Sequence, residues 1–235
     1  MFTASAELYD LLYSGFKDYG AEADRIAALL HAEHPACRTV LDVGCGTGEH
    51  ARLLAARGFR TDGLDLDPGL LRVAAAKHPA GRFHEADMCA FATGERYDAV
   101  LCLFSSIGYA RTLDRVVQAL VCFGRHLAED GIVVVEPWFT PDAMQAGRTT
   151  THTVDQPPLR IVRTSRVELE GRVSRLVFDY EITGPEGTRR ASEVHELGLF
   201  TLAEMTGAFA DAGLSVSYDP AGLTGRGLYL GRAVA

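Results

Sequence analysis

The stretch VLDVGCGTGEH at residues 40–50 constrains this chain more than any other. A β-branched run closes around Asp42, glycines follow at 44, 46 and 48, and a helical pattern opens at Glu49. The pattern is a strand, a tight loop and a helix, with glycines where the backbone must turn sharply or let a ligand come close. Such a loop lies at the carboxyl edge of a parallel sheet, beside the crevice where open α/β sheets bind ligands. It does not complete the G-x-G-x-x-G fingerprint of dinucleotide sites, because position 49, where the last glycine belongs, is glutamate.

Short β-branched runs alternate with helical periods through residue 136, the signature of a parallel sheet covered by helices. Strands are expected at 38–44, 59–67, 81–88, 97–106 and 131–138, and helices at 21–33, 49–58, 69–78 and 113–127. The alternation then stops. Between about 150 and 200 the period becomes two, clearest at Leu176, Phe178, Tyr180 and Ile182, with turn signals at Glu170-Gly171 and GPEG, so antiparallel strands are expected. Thr201 and Glu204 form a capping-box pattern opening a helix that runs to Gly213, and LSVSYD and GLYLGRAV return to the sheet. The expected fold is α/β: a Rossmann-like seven-stranded mixed sheet with helices on both faces, plus an antiparallel β insertion after the fifth strand. Residues 1–145 and 201–235 would form the main domain, and 146–200 the insertion, covering the acceptor site.

Composition narrows the function. With 47% hydrophobic and 23% charged residues, the 235-residue chain reads as an ordinary globular protein. No apolar run approaches a membrane span and the N-terminus lacks the pattern of a signal peptide, so a cytoplasmic protein is expected. The net charge of −8 comes without a basic run, which argues against nucleic-acid or membrane partners. Five cysteines without a C-x-x-C pair, and His31 and His34 without a carboxylate-rich motif, give no zinc or other metal site. Cys45, inside the glycine loop, reads as packing.

The acids near the glycine loop point to a ligand. Asp42 would repel a pyrophosphate but suits a group carrying an ammonium. Asp65, followed by Leu66 at the end of the second strand, is placed to accept from both ribose hydroxyls. Asp87 and Met88 end the third strand, where a carboxylate and a backbone N–H could read an adenine edge. Together they fit a cationic adenosyl ligand, S-adenosylmethionine, better than a phosphate. His195, before the last helix, could lean into an acceptor pocket.

At this point the chain resembles the class I S-adenosylmethionine-dependent methyltransferases: LDVGCGTG is similar to their first motif, GLDLD to the ribose-binding strand end and ADM to the adenine-side motif. ELYDLLY, KDYGAEA, LFSSIGY, VVVEPWF, LGLFT and GRGLYLG resemble the bacterial nucleotide-linked amino-sugar N-methyltransferases of antibiotic pathways. The resemblance implies transfer of one or two methyl groups to the amine of a thymidine-diphosphate deoxy-amino sugar, with S-adenosylhomocysteine as product, and a homodimer. It implies that Tyr9 and Tyr19 close over a cofactor held by Asp42, Gly44, Gly46, Asp65, Leu66, Asp87, Met88 and Leu103. Ser106 and Tyr109 would face the acceptor, and Trp138, Phe139, Arg163, His195 and Arg226 would hold the nucleotide sugar. Tyr109 and Glu22 are candidates to accept a proton. The chain departs from the pattern in placing Phe139 after Trp138, where a second tryptophan is common, and aspartate at 65, where glutamate is typical. Two other readings remain: the same cofactor with a small free amine or hydroxyl as acceptor, and a non-catalytic cofactor-binding module.

Overall fold

The β-branched runs pair edge to edge because each strand carries apolar side chains on both faces. In the computed structural model, which describes residues 6–234, β1 (Thr39–Val43), β2 (Arg60–Asp65), β3 (Phe83–Glu85), β4 (Tyr97–Cys102) and β5 (Leu127–Val135) are parallel. Two strands close the sheet antiparallel at its other edge, β10 (Leu214–Asp219) and β11 (Leu228–Ala233). The seven-stranded order is β10-β11-β5-β4-β1-β2-β3. Between β1 and β4 the order reverses, which puts the first glycine loop at the switch point where such sheets bind ligands.

Alternation within each central strand supplies two cores. Leu41, Val43, Val100, Cys102, Val133 and Val135 face one side, against α5 (Leu113–Arg125) and α6 (Leu202–Asp211). Val40, Ala99, Leu101, Ile132 and Val134 face the other, against Ala23, Ile26 and Leu30 of α2 (Tyr19–Glu33) and Leu54 of α3 (Glu49–Ala55). Burial on both faces explains why these strands read as continuous apolar runs. Several boundaries differ from the sequence reading: β4 ends at Cys102 where a strand is expected to 106, and β5 runs Leu127–Val135 where 131–138 is expected. Leu127 opens β5 instead of ending α5, and β3 stops at Glu85, two residues short of Asp87. Among the described residues no helix is long and apolar enough to cross a membrane.

A second sheet follows β5, built from β6 (Thr149–Gln156), β7 (Leu159–Glu170), β8 (Val173–Gly184) and β9 (Gly187–Gly198) in sequential antiparallel order. Its inner face is covered by α1 (Ala6–Ser14), whose Leu8, Leu12 and Tyr13 pack on Ile161, Phe178, Tyr180 and Ile182. Sequence periodicity did not single out α1, because nine residues are too few to show a clear period.

Helix α6 begins as its capping box requires: Glu204 N–H donates to Thr201 Oγ1 at 3.2 Å and Thr201 N–H to Glu204 Oε2 at 2.7 Å. Replacing Thr201 by Ala removes one of these bonds far from the glycine loop. Urea unfolding is expected to show a loss of about 1 kcal/mol, with methyl-transfer kinetics unchanged.

Candidate active site

The site grows from the backbone of the β1–α3 loop. Gly44 and Gly46 have φ of +71° and +55°, the left-handed region that glycine enters without strain. At Gly44 a Cβ would lie 2.7 Å from Ser106 Cβ, so only glycine lets the 3-10 turn Ser106–Ala110 approach the loop. The loop is held from β2. Gly44 and Cys45 N–H groups donate to the Leu64 carbonyl at 2.8 and 3.0 Å, and Gly46 N–H donates to Asp65 Oδ2 at 2.9 Å. Asp65 Oδ1 accepts the Asp67 N–H at 3.0 Å, so both of its oxygens keep one lone pair for a ligand hydroxyl. Burial raises the Asp65 pKa against the pull of these N–H donors. Cys45 is buried against Gly63, and burial pushes its thiol well above the ordinary range, so it packs and is no nucleophile.

Beneath the loop sits Asp42. It is 2% exposed, and its Oδ2 has no hydrogen-bond partner among the described residues. Burial lifts its carboxyl to about 6, with Asp65 adding to the rise and His50 and Lys17 opposing it. An acceptor left unmatched in a buried place is costly, and it opens into a cleft of about 370 Å³ lined by Tyr9, Tyr19, Asp42, Gly44, Cys45, Gly46, Thr47, Glu49, His50, Leu103, Phe104 and Ser106. A cationic amino group would answer Asp42, and the glycine loop leaves its backbone open, so the residues present fit S-adenosylmethionine.

The structure thus brings together Tyr9, Tyr19, Asp42, Gly44, Gly46, Leu103 and Ser106 around one cleft. Helix α1 is tied over it: Thr47 Oγ1 donates to Asp10 Oδ1 at 2.5 Å, and Lys77 Nζ reaches Asp10 at 2.8 Å and Glu49 at 3.2 Å. Leu66, Asp87 and Met88 do not line the cleft and lie farther along the sheet edge. Leu66 is 50% exposed, whereas Met88 packs in the core beneath α5. Asp87 lies past the end of β3 and accepts one hydrogen bond on each oxygen, on Oδ1 from the Cys89 N–H at 2.9 Å and on Oδ2 from Arg115 at 2.7 Å.

Glu22 is placed differently from a proton acceptor. Buried beside the cleft, its Oε2 takes Lys17 Nζ at 2.5 Å and His50 Nε2 at 3.0 Å. Burial would raise its pKa, but the hydrogen bonds from His50 and Lys17 outweigh that and hold it below the usual carboxylate range. A carboxylate so well matched is a poor base. Glu136, unnoticed in the sequence although it precedes Pro137 in VVVEPWF, is fully buried and holds the backbone of Phe104, a cleft residue. It accepts from Phe104 N–H (2.7 Å), Thr224 (2.5 Å) and Arg226 Nη2 (3.0 Å). Arg226 therefore has its charge matched, although its buried Nε has no partner among the described residues.

The acceptor-side candidates lie on the second sheet and the 3-10 turn. Tyr109 Oη is 3.0 Å from His195 Nδ1. Arg163, on β7, is 8% exposed, and its Nε and Nη1 have no hydrogen-bond partner among the described residues. Its guanidinium lies 5.2 Å from the Tyr13 ring and 4.9 Å from the Phe178 ring. Tyr13 meets Phe104 edge-on at 5.4 Å, which links Arg163 to the cleft lining. Trp138 donates to Ser174 Oγ at 2.8 Å and meets Phe139 at 4.7 Å, forming an outer rim where Phe139 is exposed.

The Asp42 geometry sets a pH dependence. A cationic ligand needs the carboxylate, so its Kd should rise as pH falls through about 6, approaching tenfold per unit. In Asp42→Asn the Kd should be weaker and nearly flat from pH 7 to 5. The free protein responds oppositely. The folded pKa lies above the unfolded one, so this group adds stability below the unfolded value and loses it as pH rises through about 6. Calorimetric titration across that window reads the first effect and thermal melting the second.

Comparison with known proteins agrees with this geometry. A family model described as a methyltransferase domain matches residues 40–131, from β1 to within β5. The dTDP-3-amino-3,6-dideoxy-alpha-D-glucopyranose N,N-dimethyltransferase of Streptomyces fradiae is 40% identical over 228 residues, covering 96% of this chain and 89% of the relative. The dTDP-3-amino-3,4,6-trideoxy-alpha-D-glucopyranose N,N-dimethyltransferase of Streptomyces venezuelae is 38% identical and covers 96% of both chains. Among solved structures, Streptomyces venezuelae DesVI superposes with a TM-score of 0.92 at 38% identity, over 97% of this chain and 98% of that one. The amino pentose methyltransferase CalS10 of Micromonospora echinaspora, solved with S-adenosylmethionine bound, gives 0.88 at 35% identity over 97% of each. A likeness that runs through the glycine loop, the second sheet and the closing strands leaves one assignment: the chain belongs to the S-adenosylmethionine-dependent methyltransferases, in the branch of the dTDP-amino-sugar N,N-dimethyltransferases.

Proposed function

We propose that this enzyme methylates the amine of a thymidine-diphosphate-linked deoxy-amino sugar, twice in succession. The observation that carries the acceptor is Arg163: a guanidinium buried on the inner face of the second sheet with two nitrogens, Nε and Nη1, unmatched among the described residues. A buried cation without a full set of acceptors costs several kcal/mol, and a bound anionic group, such as a diphosphate, offsets that cost. The relatives at 40% and 38% identity act on acceptors of this class by name.

When bound, S-adenosylmethionine supplies an electrophilic methyl carbon on a positively charged sulfur. The protein's task is chiefly alignment, and positioning can lower the barrier by about 7–11 kcal/mol. Asp42 would take the cofactor's amino group, and Asp65, with its spare lone pairs, the ribose. Leu66, Asp87 and Met88 would flank the adenine, the last through its backbone N–H. Tyr9 and Tyr19 would close the cleft from the N-terminal helices. Ser106 and Tyr109 would face the acceptor amine, Arg163 the diphosphate, and Trp138 with Phe139 the base. Partial desolvation beside a sulfonium favours the neutral amine, so a strong base at the nitrogen is unnecessary for the first transfer. A cytoplasmic homodimer is part of the same reading, and sedimentation would test the dimer.

Incubation with cofactor and a panel of TDP-amino sugars should give a product heavier by 28 mass units; no mass gain across the panel would contradict the reading. In Arg163→Ala, KM for the nucleotide sugar should rise about 10- to 100-fold, the loss of one or two charge-assisted hydrogen bonds, while cofactor Kd stays unchanged.

A further inference from the structure

Two methyl transfers to one nitrogen impose a requirement that one does not. The first transfer leaves a secondary ammonium, which has no lone pair until it loses a proton. A local acceptor would let the second transfer proceed before the sugar departs.

The structure holds a chain of groups suited to this task on the inner face of the second sheet. Tyr109 sits on the 3-10 turn whose first residue, Ser106, lines the cofactor cleft. The tyrosine is 38% exposed, so a ligand can reach it, while its Oη meets His195 Nδ1 at 3.0 Å. His195, 3% exposed, lies with Nε2 3.6 Å from Glu193 Oε2, and Glu193, 6% exposed, accepts from the Tyr180 hydroxyl at 3.2 Å. The carboxylate beside Nε2 favours the tautomer with its proton there, which leaves Nδ1 to accept from the phenol. Also facing this cluster are the Phe178 ring, 5.1 Å from the His195 ring, the Tyr13 and Arg163 pair beyond it, and the Asp65 carboxylate, whose charge acts on the Tyr109 phenol.

We propose that Tyr109, His195 and Glu193 form a relay that removes the proton from the monomethylated amine between the two transfers. The ammonium N–H proton passes to Tyr109 Oη as the tyrosine's own proton passes to His195 Nδ1. The nitrogen recovers its lone pair, and the imidazolium so formed faces the Glu193 carboxylate until water takes its proton. Tyr109 is the residue that touches the amine; His195 and Glu193 are positioning residues that act through it, the division of labour of a serine–histidine–aspartate triad. Burial raises the pKa of the Tyr109 phenol, so it conducts the proton and does not hold a phenolate. The inference rests on the amino-sugar reading above.

The test compares wild type with Glu193→Gln and, as a second variant, Tyr109→Phe, on an amino-sugar substrate that the wild type dimethylates. Both variants should release monomethyl product, about tenfold or more enriched over wild type, with cofactor Kd unchanged. In Glu193→Asp, which keeps the carboxylate, the share of dimethyl product should recover toward the wild-type value, a rescue that a merely structural role would not give. Unchanged mono-to-dimethyl ratios in both variants, or a Glu193→Asp no better than Glu193→Gln, would overturn the relay alone. A wild type that methylates no amino sugar would instead overturn the substrate reading.

Discussion

The carboxylate of Asp42, buried under a loop of left-handed glycines with one oxygen unmatched, is the constraint on which the site depends. Its unfavourable place is maintained by the two apolar cores that sandwich β1, since Leu41 and Val43 anchor one face and Val40 the other. Local stability is given up at one atom and recovered when a cation arrives, a pattern that marks functional sites. The neighbouring charges are arranged so that none replaces that cation. Lys17 and His50, the nearest positive candidates, are both bound to Glu22.

Helix α1 makes the two sheets one catalytic unit. One side of it reaches the glycine loop through Asp10 and Thr47. Another carries Leu8, Leu12 and Tyr13 into the inner face of the second sheet. Tyr13 touches both Phe104, in the cleft, and Arg163, on β7 of the second sheet. Buried Glu136 joins the Phe104 backbone to Thr224 and Arg226 before β11. Cofactor and acceptor would therefore share walls, as an in-line displacement requires.

The central sheet, its glycine loop and the capping box at Thr201 were legible in the amino-acid sequence because each rests on a local rule: period two, period 3.6, a turn residue, a cap. The second sheet was legible for the same reason at Leu176, Phe178, Tyr180 and Ile182. What stayed hidden is set by contacts distant in sequence. Glu136 looked like the end of a strand, and only folding brings Thr224 and Arg226 to it. Glu22 reads as a candidate base from its sequence neighbours, yet Lys17 and His50, brought in by the fold, share its Oε2. Asp87 matched a motif, yet Arg115, 28 residues away, engages its carboxylate. Tyr109 and His195, 86 residues apart, were each singled out, but not as partners.

The central claim is that acids at the carboxyl edge of the sheet select an adenosyl ligand carrying an amino group over one carrying a pyrophosphate. Calorimetric titration of the purified protein with S-adenosylhomocysteine and, separately, with a nicotinamide dinucleotide tests it most directly. The account predicts one-site saturable binding of the thioether and no heat from the dinucleotide. Uptake of the dinucleotide with indifference to the thioether would contradict it.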